Sequence, residues 1–178
     1  MRFRRAIPAL TLTLGLALPG LLPGCGWTPL YADRTTGPAD ADLRAIRVDP
    51  IPERIGQRLG IALRDSLNPS GIPTPQRYEL KTTLAVARED LGVQSQGLAT
   101  RGELDVVATY VLTDMTTKTV LLTNTVHVSD SFDILANAYA TIVTEDDART
   151  RTVEELRTEI LARLTLLMQR RRGEGASG

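Results

Sequence analysis

Residues 53–67 place their apolar side chains three and four positions apart, which is the spacing of a helix with one buried face. The apolar positions are Ile55, Leu59, Ala62, Leu63 and Leu67. A short strand is predicted before this helix, with apolar residues Leu43, Ile46 and Val48. Asn68-Pro69 should end the helix, because proline lacks the N–H that continues the hydrogen-bond ladder.

Between residues 78 and 128 the spacing changes to strict alternation, which predicts three consecutive antiparallel strands. The positions of one parity are mostly apolar: Tyr78, Leu80, Leu84 and Val86, then Leu104, Val106, Ala108, Tyr110 and Leu112, then Val120, Leu122, Val126 and Val128. One sheet face can therefore pack on helices. The other face carries many threonines, among them Thr109, Thr123 and Thr125, and it is either solvated or covered by a larger partner.

The last predicted element is a long helix with an apolar stripe at helical spacing. The stripe comprises Val153, Leu156, Ile160, Leu164 and Leu167, with Tyr139 and Ile142 as an upstream extension. Thr144 is the expected N-cap, since Asp147 follows it three residues on in a capping-box arrangement. The C-terminal end of this helix interacts favourably, through its dipole, with the positive charges of Arg170, Arg171 and Arg172. We expect residues 173–178 to form a disordered tail.

The order of strand, helix, three strands and helix indicates an α+β domain over residues 43–172. We expect an antiparallel or mixed sheet of four strands with two helices packed on one face. Without residues 1–24 the chain has 154 residues, which suits one domain with a modest core.

The N-terminus has the layout of a secretion signal. Arg2, Arg4 and Arg5 precede an uncharged apolar stretch over residues 6–22, which is too short and too interrupted by proline to span a membrane. It ends in Leu22-Pro23-Gly24-Cys25, which resembles a lipobox. We therefore predict a lipoprotein signal peptide over residues 1–24 and a lipidated tether over residues 25–42. A soluble periplasmic protein is the alternative.

Cys25 is the only cysteine, so the chain cannot form an intramolecular disulfide or a multi-cysteine metal site. Acylation at Cys25 would account for a lone exported thiol, and several acyl chains hold a protein firmly at a membrane. Residues 1–24 contain three of the 21 basic residues and no acidic ones. Their removal leaves 18 basic and 21 acidic residues. That balance of about three negative charges gives no indication of nucleic-acid binding.

Catalytic chemistry is not indicated. His127 is the only histidine and lies in a predicted strand with no nucleophile placed beside it by spacing. The acids from Glu145 to Asp147 are ordinary partners of a helix N-terminus. Gly92 and Gly97 lack the lysine and hydroxyl of a phosphate loop, and Gly56 with Gly60 indicates close packing. We expect no enzyme, metal or cofactor, and a hydrolase with a hidden site is the alternative.

Basic residues could meet an anionic ligand. Lys118 is predicted at a hairpin tip, where its ammonium would act as a point charge, and Arg101 could offer a guanidinium fork. Both are candidates for ligand contact. The run from Arg170 to Arg172 is a further candidate, although termination of the helix already explains it.

The stretch Cys25-Gly26-Trp27-Thr28-Pro29-Leu30-Tyr31 after a lipobox, followed by this order of elements, resembles the LPS-assembly lipoprotein LptE family. Pro29-Leu30-Tyr31 and the stretch Arg88-Glu89-Asp90-Leu91-Gly92 are similar to its alphaproteobacterial branch. Gly26 after the cysteine, in place of aspartate, looks like a signal for release to the outer membrane of Gram-negative bacteria.

The resemblance implies a subunit of the outer-membrane lipopolysaccharide translocon that plugs the LptD β-barrel and assists its assembly. The threonine-rich face would then meet the polar interior of the barrel. Lipopolysaccharide is an implied ligand, with Lys118 and Arg101 as the candidate contacts. The alternative is a non-catalytic envelope lipoprotein that scaffolds another periplasmic complex.

Overall fold

The four strands form one mixed sheet in the order β1-β2-β3-β4. In the computed structural model, which describes residues 38–93 and 99–176, the elements are α1 (Pro38–Arg44), β1 (Ile46–Val48), α2 (Arg54–Leu67), β2 (Tyr78–Val93), β3 (Ala99–Asp114), β4 (Val120–Asp133) and α3 (Ala138–Ala176). Strand β1 pairs with β2 in parallel, and the other pairs are antiparallel. The predicted α+β fold is confirmed. Cys25 and the predicted signal peptide lie outside the described residues.

The apolar parity of each strand faces α2 and α3 and forms the core. The fully buried side chains include Ile46, Leu80, Leu104, Tyr110 and Leu112 of the sheet and Leu59, Leu63, Leu156, Ile160 and Leu164 of the helices. Alternation was a reliable guide here because successive strand residues point to opposite faces. Helix α2 lies on the β1 side of the sheet, and α3 packs mainly on β4.

Helix α3 begins six residues before the predicted cap, so the assignment of Thr144 as N-cap is wrong. Asn137 caps the helix, because its Oδ1 accepts the N–H of Tyr139 at 2.9 Å. Thr144 lies within the helix, where its hydroxyl donates to the carbonyl of Asp133 at 2.7 Å. Tyr139 and Ile142 are 74% and 64% exposed and therefore do not extend the buried stripe.

Helix α1 was not predicted: it covers the last five residues of the segment expected to be a tether and includes Leu43, which was expected in the first strand. Asp42 connects it to the rest of the domain by accepting two hydrogen bonds from Arg172, at 2.9 and 2.7 Å. The same carboxylate lies 3.6 Å from the guanidinium of Arg77. Helix α3 also continues to Ala176, into the segment expected to be a disordered tail.

The packing role expected for Gly56 is confirmed, although its neighbour is not another helix. A Cβ at Gly56 would lie 2.6 Å from Cγ2 of Ile51, a buried residue in the link between β1 and α2. Gly56 therefore lets the start of α2 sit directly against this link.

Candidate interaction surface

The sheet face opposite the helices has no helix over it in the described part of the chain, and we call it the open face. Its residues are Lys81, Thr83, Ala85, Ala87 and Glu89 of β2, Arg101, Glu103, Asp105, Val107, Thr109 and Val111 of β3, and Thr123, Thr125, His127, Ser129 and Ser131 of β4. All of these side chains are exposed or half-buried. The open face is therefore available to solvent or to a partner.

A row of threonines crosses the middle of the open face. Thr83, Thr109 and Thr125 occupy one register position on three adjacent strands, and the hydroxyls of Thr109 and Thr125 lie 3.3 Å apart. Thr123 follows on the next row, opposite Val111. The fold thus brings together the three threonines that the sequence singled out. Their band of hydroxyl and methyl groups is uncharged, which suits a polar but neutral partner surface.

Beyond this band, towards the start of β3, diagonal hydrogen bonds join β3 to β4. The Nε2 of His127 lies 2.9 Å from Oδ1 of Asp105, and Ser129 donates to Oε1 of Glu103 at 2.5 Å. Arg101 donates to the hydroxyl of Ser131 at 2.5 Å. Each β3 residue reaches the β4 residue two positions before its register partner, a regular diagonal neighbour in antiparallel sheets.

His127, Asp105 and Ser129 are therefore neighbours, which sequence spacing across two strands had not suggested. In a catalytic triad the nucleophile donates its proton to the histidine. Here the Ser129 hydroxyl donates to Glu103 instead, and the His127 side chain is 59% exposed. This arrangement is that of a surface hydrogen-bond network, not of an activated nucleophile.

Arg101 and Lys118, the two candidate ligand contacts, are not brought together. They lie near opposite ends of β3, and thirteen strand residues separate them by on the order of 40 Å. Arg101 also stands among acids, with Asp133 as its register partner and Glu103 two residues along the strand. One anionic group cannot contact both residues, and the surroundings of Arg101 do not favour an anion.

Lys118 lies in the turn between β3 and β4, as predicted, with a φ of 57° in the left-handed region. Asp114 stabilises this turn, since its Oδ1 accepts the N–H groups of Thr116 at 2.9 Å and Thr117 at 3.2 Å. These two hydrogen bonds hold the pKa of Asp114 below its ordinary value. Lys118 is exposed, and its ammonium forms no ion pair with any described residue.

We expect Asp114→Ala to lower the free energy of unfolding at neutral pH, because two turn N–H groups lose their acceptor. A carboxylate with a lowered pKa contributes stability above its ordinary pKa and loses that contribution as the pH falls through the lowered value. Urea unfolding should therefore show a smaller gap between wild type and variant at about pH 3 than at about pH 7. Asp114→Asn keeps an acceptor and is the matched control. An equal gap at both pH values would contradict the assignment.

Other basic side chains surround this turn, and sequence reasoning did not group them with Lys118. Met115 donates its N–H to the carbonyl of Arg77, whose guanidinium lies 5.1 Å from the ring centre of Tyr78. The charge of Arg171 acts on both Tyr78 and Asp114, while burial raises the pKa of Tyr78. We call Arg77, Lys118 and Arg171 the tip cluster. The tip cluster becomes visible only in the fold, since Arg77 and Arg171 are 94 positions apart in the sequence.

Within residues 38–93 and 99–176, no group of three or more histidine, cysteine or acidic side chains is placed to hold a metal ion. The helices of this described part are also too short or too polar to cross a membrane.

A family model described as LptE, Lipopolysaccharide-assembly, matches residues 43–165 of the chain. A candidate lipoprotein from Caulobacter crescentus CB15 is similar in structure, with a TM-score of 0.60 and 24% identity over 75% of this chain and 96% of the other. A minor lipoprotein from Acinetobacter baumannii has a TM-score of 0.50 and 15% identity over 68% and 90%. At these identities both likenesses concern the fold. Among curated proteins, none matches the sequence.

Proposed function

Because the chain belongs to the LptE family of lipopolysaccharide-assembly proteins, we propose that it is a non-catalytic subunit of the outer-membrane lipopolysaccharide translocon. It occupies the lumen of the LptD β-barrel, assists assembly of that barrel and helps lipopolysaccharide pass to the outer leaflet. The match over residues 43–165, which includes the whole sheet and most of α3, is the observation that carries this proposal.

The open face is the surface that we assign to the barrel interior. Barrel interiors are polar, and the row of Thr83, Thr109 and Thr125 offers hydroxyl groups without the desolvation cost of charges. The diagonal network from Arg101 to His127 keeps the neighbouring charged side chains paired within the sheet. A hydrogen-bonding face with a neutral central band fits a polar wall better than it fits an apolar one.

Acylated Cys25 is proposed to anchor the chain on the periplasmic side of the outer membrane, after removal of residues 1–24 as a signal peptide. The support comes from the lipobox-like sequence and from the basic and apolar layout before it. Membrane attachment would raise the local concentration of the domain near its partner, as linkage of two binding events generally does.

For lipopolysaccharide we propose the tip cluster as the contact and no longer include Arg101. The exposed ammonium of Lys118 has no ion-pair partner among the described residues. Arg77 lies 3.6 Å from Asp42, but its side chain is still 52% exposed, and phosphate groups favour such exposed cations. Arg101, in contrast, is hydrogen-bonded to Ser131 and faces Asp133. An anion approaching Arg101 would also approach acidic neighbours.

Photo-crosslinking in living cells tests the placement in the barrel. A photoreactive residue at Thr109 or Thr125 should form adducts with LptD, because both side chains lie in the neutral band of the open face. Ile61 is the matched control, since it is 53% exposed on α2 in the opposite layer of the domain. Adducts with LptD from Ile61 alone would indicate that the helices, and not the open face, contact the barrel. Adducts only with unrelated proteins would contradict the proposal.

A further inference from the structure

Strand β4 is an edge strand, and the hydrogen bonds at its end show which of its main-chain groups point outward. Ile134 donates its N–H to the carbonyl of Thr100, so even-numbered residues of β3 and β4 bond to each other. The β3–β4 register is unbroken from Leu122 to Asp133. Because main-chain groups alternate along a strand, the odd-numbered residues of β4 direct their N–H and C=O groups away from the sheet.

At the C-terminal end of β4, the outward main-chain groups already form hydrogen bonds with side chains. Asp130 accepts the N–H of Ser131 at 2.8 Å, Arg151 donates to the carbonyl of Ser131 at 3.3 Å, and Thr144 donates to the carbonyl of Asp133. Side chains of α3 thus close this end of the edge. At the other end, Thr113 pairs with Val120 across a register shift that interrupts the ladder near Leu121.

Between these two limits lies a stretch of edge that we call the edge window, with outward residues Thr123, Thr125, His127 and Ser129. The N–H of Thr125 is turned onto the side-chain oxygen of its neighbour Asn124, at 2.7 Å. Among the described residues, no donor or acceptor reaches the outward main-chain groups of Thr123, His127 or Ser129. Apart from the N–H of Thr125, the edge window therefore offers unpaired main-chain hydrogen-bonding groups.

Sequence around the edge window lacks the devices that usually protect a sheet edge. Residues 123–129 contain no lysine, arginine, acid, proline or glycine, whereas proteins commonly place charges or proline on exposed edges. The free part of the β2 edge differs, since Arg88 pairs there with Asp90 at 3.0 Å and Gly92 has a φ of 70°. The free β2 edge therefore has features that disfavour pairing with another strand, whereas the edge window of β4 lacks them.

We infer that the edge window binds an extended segment of the barrel partner, which adds a fifth strand to the sheet beside β4. Strand addition is a recognised mode of binding in which main-chain hydrogen bonds supply affinity. The inference rests on the proposed function and specifies one contact within it. The added strand is uncharged over about seven residues, to match the neutral edge, with apolar side chains towards α3 and polar ones towards the open face.

Amide hydrogen exchange of the full chain, alone and in complex with LptD, tests this directly. In the isolated chain the outward amides of Thr123, His127 and Ser129 should exchange faster than the inward amides of Val126 and Val128. In the complex the three outward amides should slow by about tenfold or more, because new hydrogen bonds must open before exchange. Unchanged exchange in the complex would overturn the inference while leaving the proposed function standing.

Proline substitution provides a second test. His127→Pro removes one outward N–H that β3 does not use, so the domain should fold while recovery of LptD falls by about tenfold or more. Val86→Pro is the control for proline at the other edge, because its N–H also points outward from β2. His127→Ala removes the same side chain and its contact with Asp105 but keeps the outward N–H, so it should recover LptD better than His127→Pro. Thermal unfolding tests whether the variants fold. If His127→Pro does not fold, the hydrogen-exchange measurement decides whether the inference holds.

The other possible results of these two experiments also support or overturn the inference. Equal recovery of LptD with folded His127→Pro and with wild type would overturn strand addition. Protection of the outward amides in the isolated chain at high concentration would assign the edge window to a second copy and overturn the occupant proposed here. Failure of the wild-type chain to recover any LptD would overturn the proposed function and this inference together.

Discussion

Gly102→Ala is expected to lower the free energy of unfolding by about 3 kcal/mol, the upper part of the usual range for overpacking a core. The ring of Phe132, from β4, lies over Gly102 of β3, and a Cβ at Gly102 would be 2.3 Å from its Cζ. Phe132 is only 4% exposed, and Arg88 of β2 lies 5.3 Å from the ring centre. The ring cannot move aside without losing burial and this cation–π contact.

Two controls make that expectation specific. In a Phe132→Ala background, Gly102→Ala should cost much less than alone, since a double-mutant cycle measures the contact between the two sites. Gly173→Ala on α3, where a Cβ meets nothing within 4 Å, should be neutral or stabilising by up to about 1 kcal/mol. Urea unfolding measures all four variants. An equal loss from Gly102→Ala with and without Phe132 would show that the ring is not the obstacle.

The sequence predicted the sheet well because its alternation is long and of one parity. The three long strands were identified by the apolar positions that the structure buries, such as Leu80, Val106 and Val128. The strand ends were less accurate, since β2 continues beyond Val86 to Val93, and residues 87–92 of this extension are exposed on both sides. Pairing with β3, which a one-dimensional pattern does not contain, keeps that segment extended.

Helix ends were the weakest predictions, for a physical reason. Thr144 and Asp147 satisfy the spacing of a capping box, yet Asn137 lies seven residues earlier and caps the helix through its own side chain. Spacing alone cannot rank two competing caps, and in the structure the Thr144 hydroxyl bonds to the end of β4 instead of capping the helix. Similarly, α1 depends on the ion pair of Asp42 with Arg172, which joins residues 130 positions apart.

The candidate surface was predictable in part. Period-two alternation was enough to place Thr109, Thr123 and Thr125 on one face, because that property belongs to the strand. It could not show that Arg101 has acidic neighbours, that Arg77 and Arg171 lie near the turn that carries Lys118, or that α3 side chains close one end of the β4 edge. All three observations depend on which strands and helices are neighbours, so they required the tertiary structure.

Leu156→Ala is expected to lower the free energy of unfolding by about 2 to 5 kcal/mol. Leu156 is fully buried on the side of α3 that packs against the rest of the core. The truncation leaves a cavity as well as removing apolar contact, and both costs rise with how completely the site is enclosed.

Leu166→Ala is the matched control, because it removes the same atoms from the same helix at a position that is 52% exposed. Leucine and alanine have similar helix propensities, so this variant should remain within about 0.5 kcal/mol of wild type. Urea unfolding of the two variants then isolates burial from every effect of helix formation. Equal losses would mean that α3 presents a different face to the sheet, and the identity of the open face would have to be reconsidered with it.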